Sequence, residues 1–233
     1  MMLRQPNGRF DEAKVFGPYQ ALLFDMDGTL LTSTAAVERA WHAWSVRSAL
    51  PAIEVFNYLF GRRASDTIDY FLPGVSPERR EQEIDWVEWA EMSDMSGIGE
   101  VPGARAFLSS LPARRWAIAT SATRRLAIKR IEAAGLPLPA VLIAADDVAV
   151  GKPDPSAYLL AAERLGVDPG RCLVFEDMPA GVAAGLASGA EVAVVANPGE
   201  APNPAVRLVV EDYRDLAVEV TDDGLSLRHT RTR

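Results

Sequence analysis

The sequence predicts an α/β fold, a parallel sheet flanked by helices with a separate helical insert, and three observations carry that expectation. From residue 101 onward short apolar runs alternate with helix-patterned segments, the order that builds a parallel sheet from right-handed crossovers. Near the other end, the apolar run 21–24 reads as a buried strand and stops on two carboxylates, Asp25 and Asp27, followed at once by Gly28. Between these regions, residues 35–99 show helical spacing and no strand pattern.

Taken in order, residues 1–19 mix Gly, Pro, Asn and charged residues without periodicity and predict an irregular arm. After the strand at 21–24, Thr32, Ser33 and Thr34 offer N-cap hydroxyls to a helix that buries Val37, Ala40, Trp41 and Trp44. Ser76-Pro77-Glu78 starts another helix, in which Ile84, Trp86, Val87 and Trp89 stand among many acids that read as a solvated face. A strand is expected at 115–120 and a helix at 123–134, stopped by Gly135. Further strands are expected at 140–145, 172–175, 192–195 and 206–210. Asp154-Pro155 caps a helix closing at Gly166, and another helix runs through 183–188. The division is thus an arm over 1–19, an α/β core over 20–34 and 100–224, a helical insert over 35–99 and a loose basic tail over 225–233.

Composition narrows the function. The chain has 233 residues, 48% of them hydrophobic, so it can bury a sizeable core, and no apolar run is long enough for a membrane span. No apolar stretch follows Arg4 as a signal peptide would require, and a cytoplasmic location is expected. A net charge of −8 argues against nucleic acid or an anionic membrane as the main partner. The single cysteine, Cys172, lies in an apolar run and has Met178 where a thiol phosphatase needs a phosphate-binding arginine. Two histidines, His42 and His229, are too few for a histidine-based metal site or dyad.

The polar residues that end the predicted strands form a pattern. Asp25 and Asp27, two apart in extended backbone, face the same way. Thr120-Ser121 ends the second strand, Gly151-Lys152-Pro153 lies beyond the third, and Glu176-Asp177 ends the fourth. Each alone has an ordinary reading: Asp27-Gly28 as a hairpin turn, Lys152-Pro153 as a turn, and the others as helix caps. A parallel sheet brings all of them to one edge. There Asp25 and Asp177 make a hard oxygen site of the kind magnesium uses, and Thr120 and Lys152 can take phosphate oxygens. Phosphoryl transfer needs such positioning and positive charge. Asp25 is then the nucleophile that forms an aspartyl-phosphate, and Asp27 the acid that protonates the leaving oxygen and later activates water.

With these residues the sequence resembles the haloacid dehalogenase superfamily, over nearly all of 21–210. Asp25-Met26-Asp27-Gly28-Thr29 is similar to its first motif, Thr120 to the second-motif hydroxyl, Lys152 to the third-motif lysine and Glu176-Asp177 to the acidic fourth motif. The resemblance implies a Rossmann-like core with a helical cap and a magnesium site drawn from Asp25, Glu176, Asp177 and the main-chain carbonyl of Asp27. It also implies phosphate contacts at Gly28 and Ser121. An acid at Asp27 sets the chain apart from the dehalogenase branch. Glu100-Val101-Pro102-Gly103 and the segment 174–181 look like the glycerol-phosphate and 2-deoxyglucose-6-phosphate phosphatases, whose cap carries Gly-x-Arg facing the substrate. Gly61-Arg62-Arg63 matches it, with Arg63 first and Arg62 next as substrate contacts, and Phe60 stands where those enzymes have histidine. The expected activity is magnesium-dependent hydrolysis of a small phosphorylated sugar or polyol, by a monomer or homodimer. A β-phosphoglucomutase-like mutase would use the same core. A non-catalytic sugar-phosphate-binding relative is a further reading, although no member of the acid, hydroxyl, lysine and metal set is missing. A phospho-receiver also places Asp, Thr and Lys at strand ends, but has no helical insert of about 65 residues there.

Overall fold

The computed structural model describes residues 14–195 and 204–230. Strand β1 (Lys14–Tyr19) leads into β2 (Ala21–Phe24) and, past a tight turn, the short β3 (Leu31–Thr32). Four helices follow, α1 (Thr34–Arg47), α2 (Ala52–Leu59), α3 (Ala64–Phe71) and α4 (Pro77–Ser93). The chain re-enters the core at β4 (Gly99–Glu100), which pairs with β3, and continues through α5 (Ala104–Ser110), β5 (Trp116–Ala119), α6 (Arg124–Ala133) and β6 (Leu142–Ile143). Then come α7 (Ser156–Leu165), β7 (Cys172–Glu176), α8 (Pro179–Ala187), β8 (Glu191–Val195), β9 (Leu208–Val210), β10 (Leu216–Thr221) and β11 (Gly224–His229).

The expected parallel sheet is present, in the order β6-β5-β2-β7-β8-β9. Every residue of β2, β5 and β7 is buried, which is why these central strands read as unbroken apolar runs rather than as alternation. Helices cover both faces. On one, Phe24 stacks on Phe175 with 4.9 Å between ring centroids and meets Phe107 and Trp116 edge-on. On the other, Leu23 and Val174 pack with Tyr158 and Ala161 of α7. Local chemistry sets the helix ends: Ser76 Oγ accepts from Arg79 N ahead of Pro77, Thr123 Oγ1 accepts from Leu126 N, and Gly166 takes a left-handed φ of 71° to close α7. Helices α1–α4 have an apolar cluster of their own around Trp41, Trp44, Val55, Ile68 and Val87. No helix among the described residues is long and apolar enough to cross a membrane.

Several sequence expectations are corrected. The arm over 1–19 was expected to be irregular, yet Lys14–Tyr19 is a strand; residues 1–13 lie outside the described residues. The tail over 225–233 was expected to be loose, yet β11 pairs antiparallel with both β1 and β10; residues 231–233 lie outside the described residues. The cause is alternation that basic and polar neighbours mask: Leu225 and Leu227 are buried with Phe16, Tyr19 and Leu216 against Tyr213, while Arg228 points outward. The strand expected at 140–145 shrinks to Leu142–Ile143, because it lies at the sheet edge and pairs only with β5. The helix expected through 183–188 starts earlier, at Pro179, a proline in the first turn. Ser33 sits at the N-cap of α1 without capping it. The acids of α4 are not all solvated: Glu83 and Glu91 are buried and accept from the indoles of Trp44 (2.9 Å) and Trp41 (3.2 Å).

If β11 is part of the core, Leu227→Ala lowers unfolding stability by about 2–4 kcal/mol in urea denaturation, whereas a loose tail gives no change.

Candidate active site

The C-terminal ends of β5, β2 and β7 lie side by side, so the register of the sheet delivers Thr120, Asp25 and Glu176 to one edge. Asp25 N donates to Phe175 O (2.9 Å), continuing the ladder one residue past β2. The chain then turns through Gly28, whose φ of +90° favours glycine; a Cβ there would run into the Asp177 carboxylate. Thr29 Oγ1 donates to Asp177 Oδ1 at 3.2 Å.

Beneath this edge lies a buried ion cluster. Lys152 Nζ sits 2.5 Å from Asp25 Oδ1 and 2.6 Å from Glu176 Oε1. Tyr158 donates its hydroxyl to the same Glu176 oxygen (2.7 Å), and the backbone N–H groups of Asp177 and Met178 donate to Oε2 (3.0 and 3.3 Å). Glu176 is thereby fixed on both oxygens. Carboxylate oxygens of Asp25, Glu176 and Asp177 lie within 4.8 Å of one another.

Apart from Lys152, which stands behind Asp25, every site residue named from sequence lines a single cleft of about 500 Å³ between the α1–α4 unit and the sheet edge. Thr120 is buried, its Oγ1 accepting from Ala122 N (3.1 Å), and Ser121 Oγ donates to Gly61 O across the cleft (3.2 Å). Arg63 pairs with Asp66 through two hydrogen bonds (2.7 and 3.0 Å) and donates to Val148 O and Ala149 O (3.3 and 3.0 Å), tying the helical unit to the loop before Lys152. The Arg62 guanidinium lies over the Tyr58 ring, 4.4 Å from its centroid.

Two partners of Asp27, and the residue that holds one of them, were missed from sequence. Ser33 Oγ donates to Asp27 Oδ1 (2.6 Å), and Arg130 Nη1 donates to the same oxygen (3.0 Å) while its Nη2 reaches Glu91 Oε1 (3.1 Å). A signal existed: Arg130 follows Leu126 by four residues and Ala127 by three, so a charge stands on the apolar face of α6. Glu83, Val87 and Glu91 likewise form one stripe on α4.

The comparisons with known proteins agree with this geometry. The sequence model of the haloacid dehalogenase-like hydrolases matches residues 19–189, from the end of β1 through α8. The chain belongs to that family. Hexitol phosphatase A of Escherichia coli is 40% identical over 208 residues, covering 88% of this chain and 96% of that one. Glycerol-1-phosphate phosphohydrolase 2 of Saccharomyces cerevisiae is 38% identical over 187 residues, covering 76% and 74%. The crystal structure of a hydrolase from Pseudomonas syringae superposes with a TM-score of 0.72 at 25% identity, over 83% of this chain and 94% of the other. This haloacid dehalogenase-like hydrolase is thus an enzyme of the phosphatase class.

The electrostatics of the hydrolase site call for a cation. Burial pushes the Asp25 carboxyl well above its usual range, against the pull of Lys152. Burial, then the Glu176 charge, push Asp177 up to about 7. Burial works against the Lys152 ammonium too, but Asp25 and Glu176 outweigh it and hold the charge. Three carboxylates thus face one ammonium, and the donors are hard oxygens, a set that fits a divalent cation.

The sign of the pH dependence follows. A carboxyl whose folded pKa exceeds its unfolded value of about 4 stabilises the fold below that value and loses this contribution as pH rises through the folded pKa. With chelator present, the unfolding midpoint should therefore fall between about pH 4 and pH 8, and a divalent cation should raise it more at the upper end than at the lower. Thermal denaturation across pH with and without cation checks this; an equal effect at both ends contradicts it.

Proposed function

We propose that the protein is a magnesium-dependent phosphomonoesterase for a small phosphorylated sugar or polyol, working through a phosphoryl group carried on Asp25. The observation that carries this reading is the Asp25 carboxylate, backed at 2.5 Å by a buried ammonium and opening on the other side into the cleft beside Asp27. Such a carboxylate is a fixed nucleophile. One of its oxygens attacks phosphorus as the bond to the leaving oxygen breaks, and Asp27 gives its proton to that oxygen. Asp27, now ionised, takes a proton from water as the water oxygen bonds to phosphorus. The bond to Asp25 breaks, its electron pair returns to the carboxylate, and inorganic phosphate leaves with Asp27 protonated again.

Thr120, Ser121 and the Gly28 turn, all lining the cleft, would hold phosphate oxygens. Asp25, Asp177 and the main-chain carbonyl of Asp27 would hold magnesium, with Glu176 in reach and chiefly fixing Lys152. When bound, the ion supplies positive charge against the phosphate oxygens that Lys152 alone does not match. The substrate class rests on the similarity to proteins named as hexitol and glycerol-1-phosphate phosphatases and on a cleft roomy enough for a small polyol. The α1–α4 unit serves as a cap that excludes water, and Arg63 contributes by fastening it to residues 148 and 149.

Free-phosphate release from a panel of sugar, polyol and nucleoside phosphates, with magnesium and with excess chelator, tests this directly. Magnesium-dependent release concentrated on small polyol or sugar phosphates is expected; isomer formation without phosphate release would instead indicate a mutase. Asp25→Asn should abolish turnover while keeping the unfolding profile, and wild-type turnover in that variant contradicts the mechanism. Arg63→Ala should raise KM about tenfold with a smaller change in kcat, because the bound geometry of a closing lid is what it supports.

A further inference from the structure

The strongest feature outside the assigned machinery is the buried guanidinium that joins the two halves of the molecule. Arg130 belongs to α6 of the core and is only 4% exposed. One arm of its fork reaches Asp27 Oδ1 (3.0 Å), and the other reaches Glu91 Oε1 (3.1 Å) on α4 of the cap. Glu91 is itself held by Trp41 Nε1 (3.2 Å) on α1. A buried charge with a carboxylate from each unit keeps both ion pairs only when both units are in place. Lifting the cap withdraws Glu91 and admits water around the guanidinium.

The arrangement also selects between the two oxygens of Asp27. Oδ1 takes both donors, from Ser33 and Arg130, and so is anchored. Oδ2 has no protein hydrogen bond among the described residues, which leaves it as the oxygen that can carry a proton to the cleft.

We infer that Arg130 is a positioning residue that orients Asp27 for proton transfer while the cap is seated, with Glu91 as the link that reports the seating. The inference rests on the phosphatase reading and adds to it a reason why acid–base chemistry would be confined to the closed molecule. Loss of the link would leave Asp25 as capable a nucleophile as before. It would impair the step in which a poor leaving group takes the Asp27 proton, and the step in which water attacks.

The test uses two substrates that differ in their need for that proton: glycerol phosphate, whose alkoxide must be protonated to leave, and p-nitrophenyl phosphate, whose phenolate need not be. In Arg130→Met, turnover of glycerol phosphate should fall about 10- to 100-fold, less than the roughly 10²- to 10⁴-fold of a whole general acid because Asp27 is misaligned and not removed. The first-turnover burst of nitrophenolate should stay within about threefold of wild type, followed by a slowed steady state. Equal losses in the first turnover of both substrates, or a change confined to KM, overturn the inference. In the Asp27→Asn background Arg130→Met should cost nothing further, and a second tenfold loss overturns it as well. Glu91→Ala and Glu91→Gln keep the question open to refutation if Arg130→Met does not fold. The glutamine retains an acceptor for Arg130 and should stay within about twofold, while the alanine should slow the first turnover about tenfold on glycerol phosphate alone; identical behaviour of the two overturns the link. Wild type that releases phosphate from neither substrate contradicts the phosphatase reading itself, whereas active wild type with undiminished Arg130→Met contradicts only the role of Arg130.

Discussion

A buried ammonium between two carboxylates is the constraint from which the rest of the site follows. Lys152 is almost wholly excluded from water, and a lone charge there would be strongly unfavourable, so Asp25 and Glu176 must both be close and must both stay. Removing one partner of such a cluster typically costs about 3–5 kcal/mol, because the remaining charge is left buried without compensation. Glu176 in turn is fixed by the Tyr158 hydroxyl and two backbone N–H groups. Gly181, at the start of α8, leaves room for it; a Cβ at that position would overlap the Glu176 carboxylate. The Asp25 position, helix packing and loop path are therefore a single solution rather than separate features.

The α1–α4 unit meets the core under the same rule. The α4 acids Glu83 and Glu91 are carried into an aromatic interior, and each is matched there by an indole N–H and an arginine. Glu91 shares its arginine with Asp27, Thr123 Oγ1 donates to Glu88 (2.6 Å), and Ser121 donates to Gly61, so the cap seats on polar contacts placed around the cleft. Such contacts give register, and unlike a purely apolar interface they can be exchanged for water.

The strand-end residues could be read from sequence because a parallel sheet converts chain order into position. Asp25, Thr120 and Glu176 each follow a fully buried apolar run, and their adjacency needs only the crossover rule. Arg130, Glu91 and Ser33 could not be placed that way, since their partners depend on how the cap is set on the core, which no local pattern encodes. Ser33 has the look of an ordinary helix cap, and only the turn at Gly28 brings Asp27 within its reach. The sheet formed by β1, β10 and β11 was hidden for a different reason: its buried residues are few, and polar, charged, Gly or Pro residues interrupt the apolar pattern around them.

Whether Asp25 accepts the phosphoryl group is tested most directly by a rapid acid quench of a single turnover with radiolabelled substrate, followed by peptide mapping. A transient, hydroxylamine-labile label is expected on the peptide containing Asp25, formed before free phosphate appears. Phosphate released at full rate with no label on the protein, or a label on any other residue, would contradict it.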